Sequence, residues 1–476
     1  MPNPNALSER YVTPKINKIF SKRWKIIAER NLWIMVMKAQ RDLGLDIPSE
    51  DIEKFERAKG DINPKLIKGI ERRTQQDVKA RIEAFIQVAN AGQYIHMGMT
   101  SRDLTDNVEQ VQIRDASKII FGKNVSTLRH MLDKAAEYSN CLICARTHNQ
   151  PAQPTSLGRR FSMWAEELLT HLNGFEEFVQ GLALRGIKGP VGTQFDMRSL
   201  LGDKRKVEEL ERIVSEQLGF SKLLNSPGQV YPRSFDYALI NHLAQLGSAS
   251  ENFAETIRIM AGAGLVNEGF EEGQTGSSAM PYKMNTRTCE RICSLAELLK
   301  MYADGASRIS GDQWMEGDVS CSVLRRVIIP DAFYASDGLC ENVLTVLNNI
   351  KVYEDEIFSE LKKYLPFMAT TEILQRAVKA GVGREDAHKA IKRLAIDETE
   401  RMRRGNYDYN RLPELIASEP IFADVGITRE EIDKMLSEPS HFLGNASVQI
   451  EAVRNSASPL LSKYSKEVKY EPEAIL

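Results

Sequence analysis

Five polar segments of the sequence carry side chains that could transfer protons or bind anions. Catalytic groups often gather where loops interrupt rigid helices at one level, and each of these segments interrupts a helical pattern. The most unusual one, GQTGSSAMPYKMN, covers residues 273–285 and combines two adjacent serines with a single lysine. Its glycines and its proline cannot easily continue a helix. We therefore expect a mobile loop that carries hydroxyl groups and one ammonium group.

The other four segments add an imidazole, guanidinium groups and further hydroxyls. They are HMGMTSRDLTDN at 96–107, ARTHNQPAQPT at 145–155, IKGPVGT at 187–193 and QWMEGDVSCSVLRR at 313–326. His148 lies in a polar turn that Pro151 and Pro154 stiffen, and a stiff turn aims a side chain. This setting favours a functional histidine over a merely exposed one.

Thr100 and Ser101, followed by Asp103, are typical of a helix N-cap, where side-chain oxygens accept hydrogen bonds from free backbone N–H groups. A helix start of this kind also attracts anions, so a substrate carboxylate or phosphate could bind there. Capping alone and anion binding are both open interpretations of this segment.

Two adjacent arginines, Arg325 and Arg326, follow Ser320 and Ser322. They could be ordinary surface charge. Guanidinium groups beside hydroxyl groups also suit the binding of an oxyanion.

The elements that must position these segments are predicted to be long helices. Apolar residues recur at alternating three- and four-residue spacing, which keeps one apolar seam facing a partner helix, as in helix bundles. Such seams run from Phe161 to Leu182, from Leu239 to Met260 and from Leu339 to Ile350, and a similar pattern runs from Trp24 to Leu43. Strict two-residue alternation is almost absent, so few strands are expected. The sequence predicts an all-α fold built around a helix bundle.

Three regions follow from the lengths of the predicted helices. Residues 1–100 form a mostly helical domain of shorter elements, residues 101–351 hold the long seams and the 273–285 loop, and residues 352–476 form a helical domain cut by prolines. The long helices carry apolar residues beyond one narrow seam, which indicates burial on more than one side. We therefore expect self-association, which would bury these additional apolar surfaces between subunits.

Composition excludes several classes of function. A formal net charge of -2 over 476 residues provides no global attraction for nucleic acid or for an anionic membrane. No apolar run approaches 18 residues, and the first residues lack the basic and apolar regions of a secretion signal. We expect a cytoplasmic protein.

Six cysteines raise the question of a metal site. Cys141 and Cys144 form a C-x2-C pair, and Cys289 and Cys293 lie four residues apart. Both pairs are predicted to lie in helical surroundings, and no matched second pair follows. Buried thiols in a reducing compartment are therefore expected, and no metal.

Together the polar segments resemble the fumarase/aspartase superfamily and, within it, the adenylosuccinate lyases. The signature loop G-S-S-x-M-P-x-K-x-N is similar to residues 276–285, and T-S-x-D is similar to residues 100–103. The turn T-H-x-Q-P-A-Q-x-T, similar to residues 147–155, points within the superfamily to the adenylosuccinate lyases. The resemblance implies a fold of three helical domains whose central bundle assembles into a homotetramer, with active sites that draw residues from three subunits.

The resemblance also implies a reaction, the β-elimination of fumarate from adenylosuccinate, giving AMP, and from the succinylated imidazole carboxamide ribotide SAICAR, giving AICAR. It needs neither a cofactor nor a metal. By analogy Ser277 is the base and His148 the acid, Lys283 and backbone N–H groups stabilise the serine alkoxide, and Glu290 orients the histidine from a neighbouring subunit. The residues that the resemblance places at the substrate are Arg10, Tyr11, Gln75, Gln76, Asp77, Thr100, Ser101, Thr147, Gln229, Asn285, Arg291, Ser322 and Arg326.

Three positions depart from the pattern of many relatives. Gln76 stands in place of a histidine and cannot become cationic. Gly317 stands in place of an arginine, which removes one phosphate ligand, and Thr286 stands in place of a proline. Three alternatives remain at this point: another lyase of the superfamily such as argininosuccinate lyase, a catalytically silent helical scaffold, and a protein that binds AMP without turnover.

Overall fold

The computed structural model describes residues 5–270, 273–405 and 409–475 and is almost entirely helical. Its N-terminal helices within residues 5–100 are α1 (Ala6–Arg10), α2 (Pro14–Ile19), α3 (Lys22–Asp42), α4 (Ser49–Ala58), α5 (Pro64–Thr74) and α6 (Asp77–Ala89). α3 confirms the pattern predicted from Trp24 to Leu43, and it ends before Gly44, whose φ of 107° favours glycine. The buried faces of α3, α4 and α6 share a core that includes Trp33, Phe55 and Phe85.

The central region contains the long helices, one β-hairpin and one short pair of strands that are distant in the sequence. Its elements are α7 (Ser101–Glu137), β1 (Leu142–Thr147), β2 (Gln150–Ser156), α8 (Leu157–Gly181), α9 (Phe195–Leu201), α10 (Lys204–Gln217), α11 (Ser234–Gly262), β3 (Val266–Asn267), α12 (Arg287–Ile309), α13 (Ser322–Asn349) and β4 (Lys351–Val352). The three predicted seams lie on α8, α11 and α13. With α7 and α12 these helices surround the largest apolar core. The predicted helix bundle is confirmed.

The longest described helix, α7, has no clear apolar seam in the sequence. Its buried side chains include many polar ones, among them Asp103, Asp106, Gln110 and Lys123. A helix that is buried on several sides can hide its period, because polar groups are tolerated inside when they are hydrogen-bonded or paired. For this reason apolar periodicity did not single out α7.

The segment that contains Cys141 and Cys144 is extended, so the prediction of helical surroundings for this pair was wrong. β1 and β2 pair as antiparallel strands, with Thr147 opposite Gln150. Prolines in β2 are compatible with a two-stranded ribbon, because every strand there is an edge strand. Cys289 and Cys293 lie on α12, as predicted.

The thiols are described as free cysteines, and no group of three potential metal ligands converges within the described residues. Burial raises the pKa of Cys141 and Cys144 to about 11.

The C-terminal region adds shorter helices. They are α14 (Glu354–Met368), α15 (Thr370–Lys379), α16 (Arg384–Arg403), α17 (Leu412–Ser418), α18 (Pro420–Ala423), α19 (Arg429–Ser437) and α20 (Ala446–Lys463), with 3-10 turns at Pro439–Leu443 and Glu467–Lys469. α15 to α19 share a separate core, whereas α20 returns to the central bundle and packs on α8 and α7. No described helix combines the length and the apolar character that crossing a membrane requires. The domain boundaries at residues 100 and 351 stay a prediction.

Gly158 lies where the start of α8 packs closely on the end of α7. A Cβ at this position would lie 2.3 Å from the carbonyl oxygen of Ala135 and 2.7 Å from the backbone of Ser139. We predict that Gly158→Ala lowers the free energy of unfolding by about 1–3 kcal/mol, because backbone cannot move aside cheaply. Gly181→Ala, at the open end of the same helix, is the control and should be neutral or slightly stabilising. Urea unfolding of the two variants and the parent chain at one protein concentration measures these free energies. An unfolding midpoint of Gly158→Ala equal to that of the parent chain would contradict this packing.

Candidate active site

A large cleft of about 1370 Å³ opens between the N-terminal helices and the first turns of α7 and α13. Five residues predicted to contact substrate line it: Gln76, Asp77, Ser101, Ser322 and Arg326. They come from three segments that are far apart in the sequence. The structure thus brings together residues 76–77, the start of the T-S-x-D helix and the end of the 313–326 segment in one place.

The lining of this cleft carries more cationic than anionic side chains. Among the described residues its charged side chains are Lys22, Arg23, Lys25, Lys68, Arg81, Arg102, Arg325 and Arg326 against Glu71, Asp77 and Glu109. Several of the cations pair with carboxylates, as Lys25 does with Glu109 at 3.0 Å and Arg81 with Glu29 at 2.9 Å. The excess positive charge is suited to an anionic ligand.

The start of α7 is an N-cap, as predicted, and a buried carboxylate fixes it. The Asp103 carboxylate accepts a hydrogen bond from the backbone N–H of Thr100 at 2.7 Å. It also pairs with Arg185 and accepts from the N–H groups of Lys188 at 2.8 Å and Gly189 at 3.1 Å, and both side chains of the ion pair are fully buried. Ser101, the first residue of the helix, lines the cleft together with Arg102 of the same segment. Asp103 therefore ties the 187–193 segment to the helix start that carries Ser101.

The two adjacent arginines of α13 have different environments. Arg325 is 4% exposed and donates to Asp236 at 2.7 Å and to Glu109 at 2.9 Å, so the surface-charge interpretation was wrong for this residue. The Arg326 side chain is 69% exposed and lies 3.8 Å from Asp77. Consecutive helical residues point about 100° apart, which separates the buried guanidinium from the accessible one.

The residues around Asp77 join α5 to α6. Gln75 ends α5 in the left-handed conformation, with φ 53°, and its side chain donates to the carbonyl of Arg72 at 2.8 Å. Gln76 is the N-cap of α6, and its side-chain oxygen accepts from the backbone N–H of Lys79. An uncharged amide therefore performs a capping role here, and the sequence pattern did not reveal it.

His148 lies at the tip of the β1–β2 hairpin. His148 and Asn149 have φ values of 50° and 57°, as in a type I′ turn, which is uncommon without glycine. Arg146 stabilises the turn by donating to the carbonyl of Asn149 at 3.1 Å and by pairing with Glu360 on α14. Thr147 and His148 are consequently held outward and exposed.

The 276–285 loop folds back on itself around Ser277. The Ser277 hydroxyl accepts hydrogen bonds from the backbone N–H of Met280 at 3.1 Å and of Ala279 at 3.3 Å. Asn285 donates to the carbonyl of Gly276 at 3.0 Å, which closes the loop. Lys283 is exposed. Backbone N–H groups thus already point at the oxygen that the proposed chemistry would have to make anionic.

Glu268 anchors the helix that follows this loop. Its buried carboxylate accepts from the backbone N–H groups of Thr288 and Cys289 at 2.9 Å each, which satisfies free donors at the start of α12. Glu290, which is exposed, lies in this first turn of α12, and Arg291 follows it. Sequence reasoning missed Glu268, because a cap supplied from about 20 residues away leaves no local signal.

The remaining predicted residues lie elsewhere on the chain. The backbone N–H of Gln229 donates to the carbonyl of Glu316 at 2.6 Å, beside the segment that leads into α13. Arg10 and Tyr11 end α1, which packs on a later part of α13. The cleft lining within the described residues includes none of the four catalytic candidates, His148, Ser277, Lys283 and Glu290. One chain therefore displays a cleft lined by candidate binding residues and, separately, two exposed segments with candidate acid and base.

Comparisons with known proteins agree over almost the whole chain. Residues 13–297 match the family described as lyase, and residues 366–453 match the family described as adenylosuccinate lyase C-terminus. The chain is 34% identical to an adenylosuccinate lyase of Saccharomyces cerevisiae, over 97% of this chain and 96% of that protein. It is 33% identical to an adenylosuccinate lyase of Schizosaccharomyces pombe, over 94% of this chain and 93% of that protein.

Solved structures agree on the fold. A 3-carboxy-cis,cis-muconate lactonizing enzyme from Pseudomonas putida superposes with a TM-score of 0.84 at 19% identity and covers 96% of this chain and 99% of that one. A fumarate lyase from Mesorhizobium sp. BNC1 gives a TM-score of 0.79 at 19% identity. The match covers 95% of this chain and 99% of that one.

The Asp103–Arg185 pair predicts a large loss of stability when only one partner is neutralised. Asp103→Asn keeps the shape but leaves the Arg185 charge buried and unpaired, so we expect a loss of about 3–5 kcal/mol. Asp133→Asn on the same helix removes a half-exposed partner of Arg129 and should cost about 0–1 kcal/mol. Denaturant unfolding compares them; similar losses for both variants would contradict the structural role of Asp103.

Proposed function

The chain belongs to the adenylosuccinate lyase family of the fumarase/aspartase superfamily, and we propose on this premise that it eliminates fumarate from adenylosuccinate and from SAICAR. The products left behind are AMP and AICAR. The observation that carries the proposal is similarity along nearly the full chain to relatives of that name, together with a cationic cleft lined by Ser101, Ser322 and Arg326. As a family member the protein is a carbon–nitrogen lyase.

The cleft supports this choice of substrate by its charge. A succinylated nucleotide carries a phosphate and two carboxylates, so its binding needs several cations and hydrogen-bond donors. In the proposal Arg326 and Ser322 bind the phosphate end, with Gln229, Arg291, Arg10 and Tyr11. Ser101 and Thr100 at the start of α7 bind a carboxylate, where the helix dipole favours an anion. Gln75, Gln76, Asp77 and Thr147 complete the contacts.

The proposed reaction moves one proton off carbon and one onto nitrogen. The Ser277 oxygen, as an alkoxide, removes the proton from the carbon beside a succinyl carboxylate, and the electron pair spreads into that carboxylate. The pair then forms the double bond of fumarate while the C–N bond breaks and His148 protonates the departing nitrogen. Lys283 and Asn285 hold the fumarate carboxylates. The two backbone N–H groups that Ser277 already accepts from support an alkoxide at this position.

A homotetramer with shared sites is part of the proposal. Candidate acid and base lie on different exposed segments, so other copies of the chain must complete each cleft. Exposed apolar residues on the bundle helices support such an assembly: Met163 on α8, Ile259 on α11, Met301 on α12, and Val323 and Val327 on α13. In this assembly Glu290 orients His148 from a neighbouring subunit.

We also place the enzyme in the cytoplasm. Its cysteines are free, and burial raises the pKa of the Cys141, Cys144 and Cys293 thiols, so they stay protonated and unreactive. Thiols of this kind are typical of proteins from reducing compartments.

Replacing the proposed base tests the reaction. Ser277→Ala should lower kcat by about a hundredfold to ten-thousandfold, because a positioned general base contributes that much. Ser278→Ala in the same loop is the matched control and should retain most activity. Fumarate release from adenylosuccinate, SAICAR and argininosuccinate is followed by absorbance. Equal rates for Ser277→Ala and the parent chain would overturn the mechanism, and AMP binding without any turnover would overturn the enzymatic proposal.

Mixing two inactive variants tests the shared sites. If His148 and Ser277 of one site come from different subunits, co-assembly of His148→Gln with Ser277→Ala restores about a quarter of the sites by random combination. If both residues come from one chain, co-assembly restores nothing. Each variant assembled alone supplies the background rate.

A further inference from the structure

We propose that Asp337 and Gly338 on α13 are positioning residues for nucleotide binding, because they hold the N-terminal arm that carries Arg10 and Tyr11. The arm is defined here as residues 5–13. The inference rests on the proposed function in one respect, the assignment of Arg10 and Tyr11 to the nucleotide. The attachment of the arm itself rests on contacts within this chain.

The arm lies along α13 and is fastened at three points. The Asn5 side chain donates to Asp331 at 2.7 Å, and the backbone N–H of Thr13 donates to the Asp337 carboxylate at 2.6 Å. Between them the Tyr11 backbone fits against Gly338, where a Cβ would lie 2.4 Å from the Tyr11 carbonyl oxygen. Only a residue without a side chain allows the arm to approach α13 this closely. The backbone of Tyr11, and with it the direction of Arg10, is therefore set by α13.

The Asp337 carboxylate belongs to a buried ionic cluster. Lys123 pairs with both Asp337 and Glu341, and the side chains of all three are at most 2% exposed. Burial lowers the pKa of Lys123, but the two carboxylates outweigh this effect and the net shift is upward, so the ammonium stays charged. One ammonium cannot neutralise two buried carboxylates, and the remaining charge needs hydrogen-bond donors.

The two ends of the chain supply those donors. Thr13 in the arm donates to Asp337, whereas the Tyr470 hydroxyl donates to Glu341 at 2.6 Å and the backbone N–H of Glu473 donates to the same carboxylate. Ser126 on α7 holds the C-terminal segment by donating to the carbonyl of Tyr470 at 2.7 Å. The C-terminal segment thus stabilises the cluster to which the arm is attached. Loosening either end leaves a buried carboxylate short of donors.

A variant at Gly338 separates positioning from stability. Alanine is a better helix former than glycine, so Gly338→Ala should leave α13 intact while it displaces Tyr11. We expect the KM for adenylosuccinate and the Kd for AMP to rise about tenfold, with kcat changed less than about twofold, because binding rather than chemistry is affected. Gly305→Ala on α12, where a Cβ would make only ordinary contacts of 3.8 and 3.9 Å, is the matched control and should change neither constant.

Trypsin cleavage after Arg10 supplies a readout that does not depend on activity. The native assembly should resist cleavage in the arm, and Gly338→Ala should be cut several times faster while Gly305→Ala is not. Tyr470→Phe removes only the hydroxyl that donates to Glu341 and should shift KM and the cleavage rate in the same direction but by less. The Tyr470→Phe variant still tests the inference if Gly338→Ala fails to fold.

The outcomes distinguish this inference from the proposed function. Unchanged KM, Kd and cleavage rate in folded Gly338→Ala and Tyr470→Phe would overturn the inference while leaving the lyase activity in place. A fall in kcat with unchanged KM would also overturn it, since that pattern indicates a general structural defect. If the parent chain released no fumarate, the proposed function would fail, and the AMP and trypsin measurements would still decide whether Gly338 and the ionic cluster of Asp337 position the arm.

Discussion

The geometry of the candidate site depends on one buried carboxylate. Asp103 has no access to solvent, pairs with Arg185 and accepts from three backbone N–H groups, so its charge is compensated entirely by the protein. A charge in this position tolerates little movement, because every displacement leaves it less compensated in a medium of low dielectric. The start of α7, the 187–193 segment and the wall of the cleft are consequently held as one rigid unit.

The same principle recurs along the bundle. Asp106 pairs with Arg233 and Arg102, Arg325 connects Glu109 to Asp236, and Lys123 joins Asp337 to Glu341. Apolar seams bring the long helices together without specifying their axial positions closely, since such seams can slide by a turn. Buried polar contacts between specific partners remove that freedom. A bundle with apolar seams and ionic cross-links can therefore hold distant segments at fixed places.

The candidate binding residues and the candidate acid and base lie on different kinds of structure. The cleft lining includes helix starts whose caps and ion pairs are internal, whereas His148 lies at a hairpin tip and Ser277 and Lys283 lie on the 276–285 loop. Binding a multiply charged ligand benefits from preorganised groups, and proton transfer from carbon benefits from groups that arrive as water leaves. The candidate acid His148 is exposed and the candidate base Ser277 is half-buried on an exposed loop, and neither lines the open cleft.

The sequence alone determined the helical class, the seams of α3, α8, α11 and α13 and the segments that interrupt them, because apolar periodicity and glycine or proline breaks act locally. It also identified the superfamily, because the signature loop is specific. Only the tertiary structure decided that Arg325 is buried while Arg326 is accessible, that Gln76 caps α6, that Cys144 lies in a hairpin, and that Asp103 meets Arg185. The Gln76 cap and the Cys144 hairpin have near partners in the sequence, Lys79 and Pro154, which apolar periodicity does not reveal. The environments of Arg325 and Asp103 depend instead on partners more than 80 residues away. Local spacing carries no information about such partners, since the free energy that selects them comes from packing and charge compensation between distant segments.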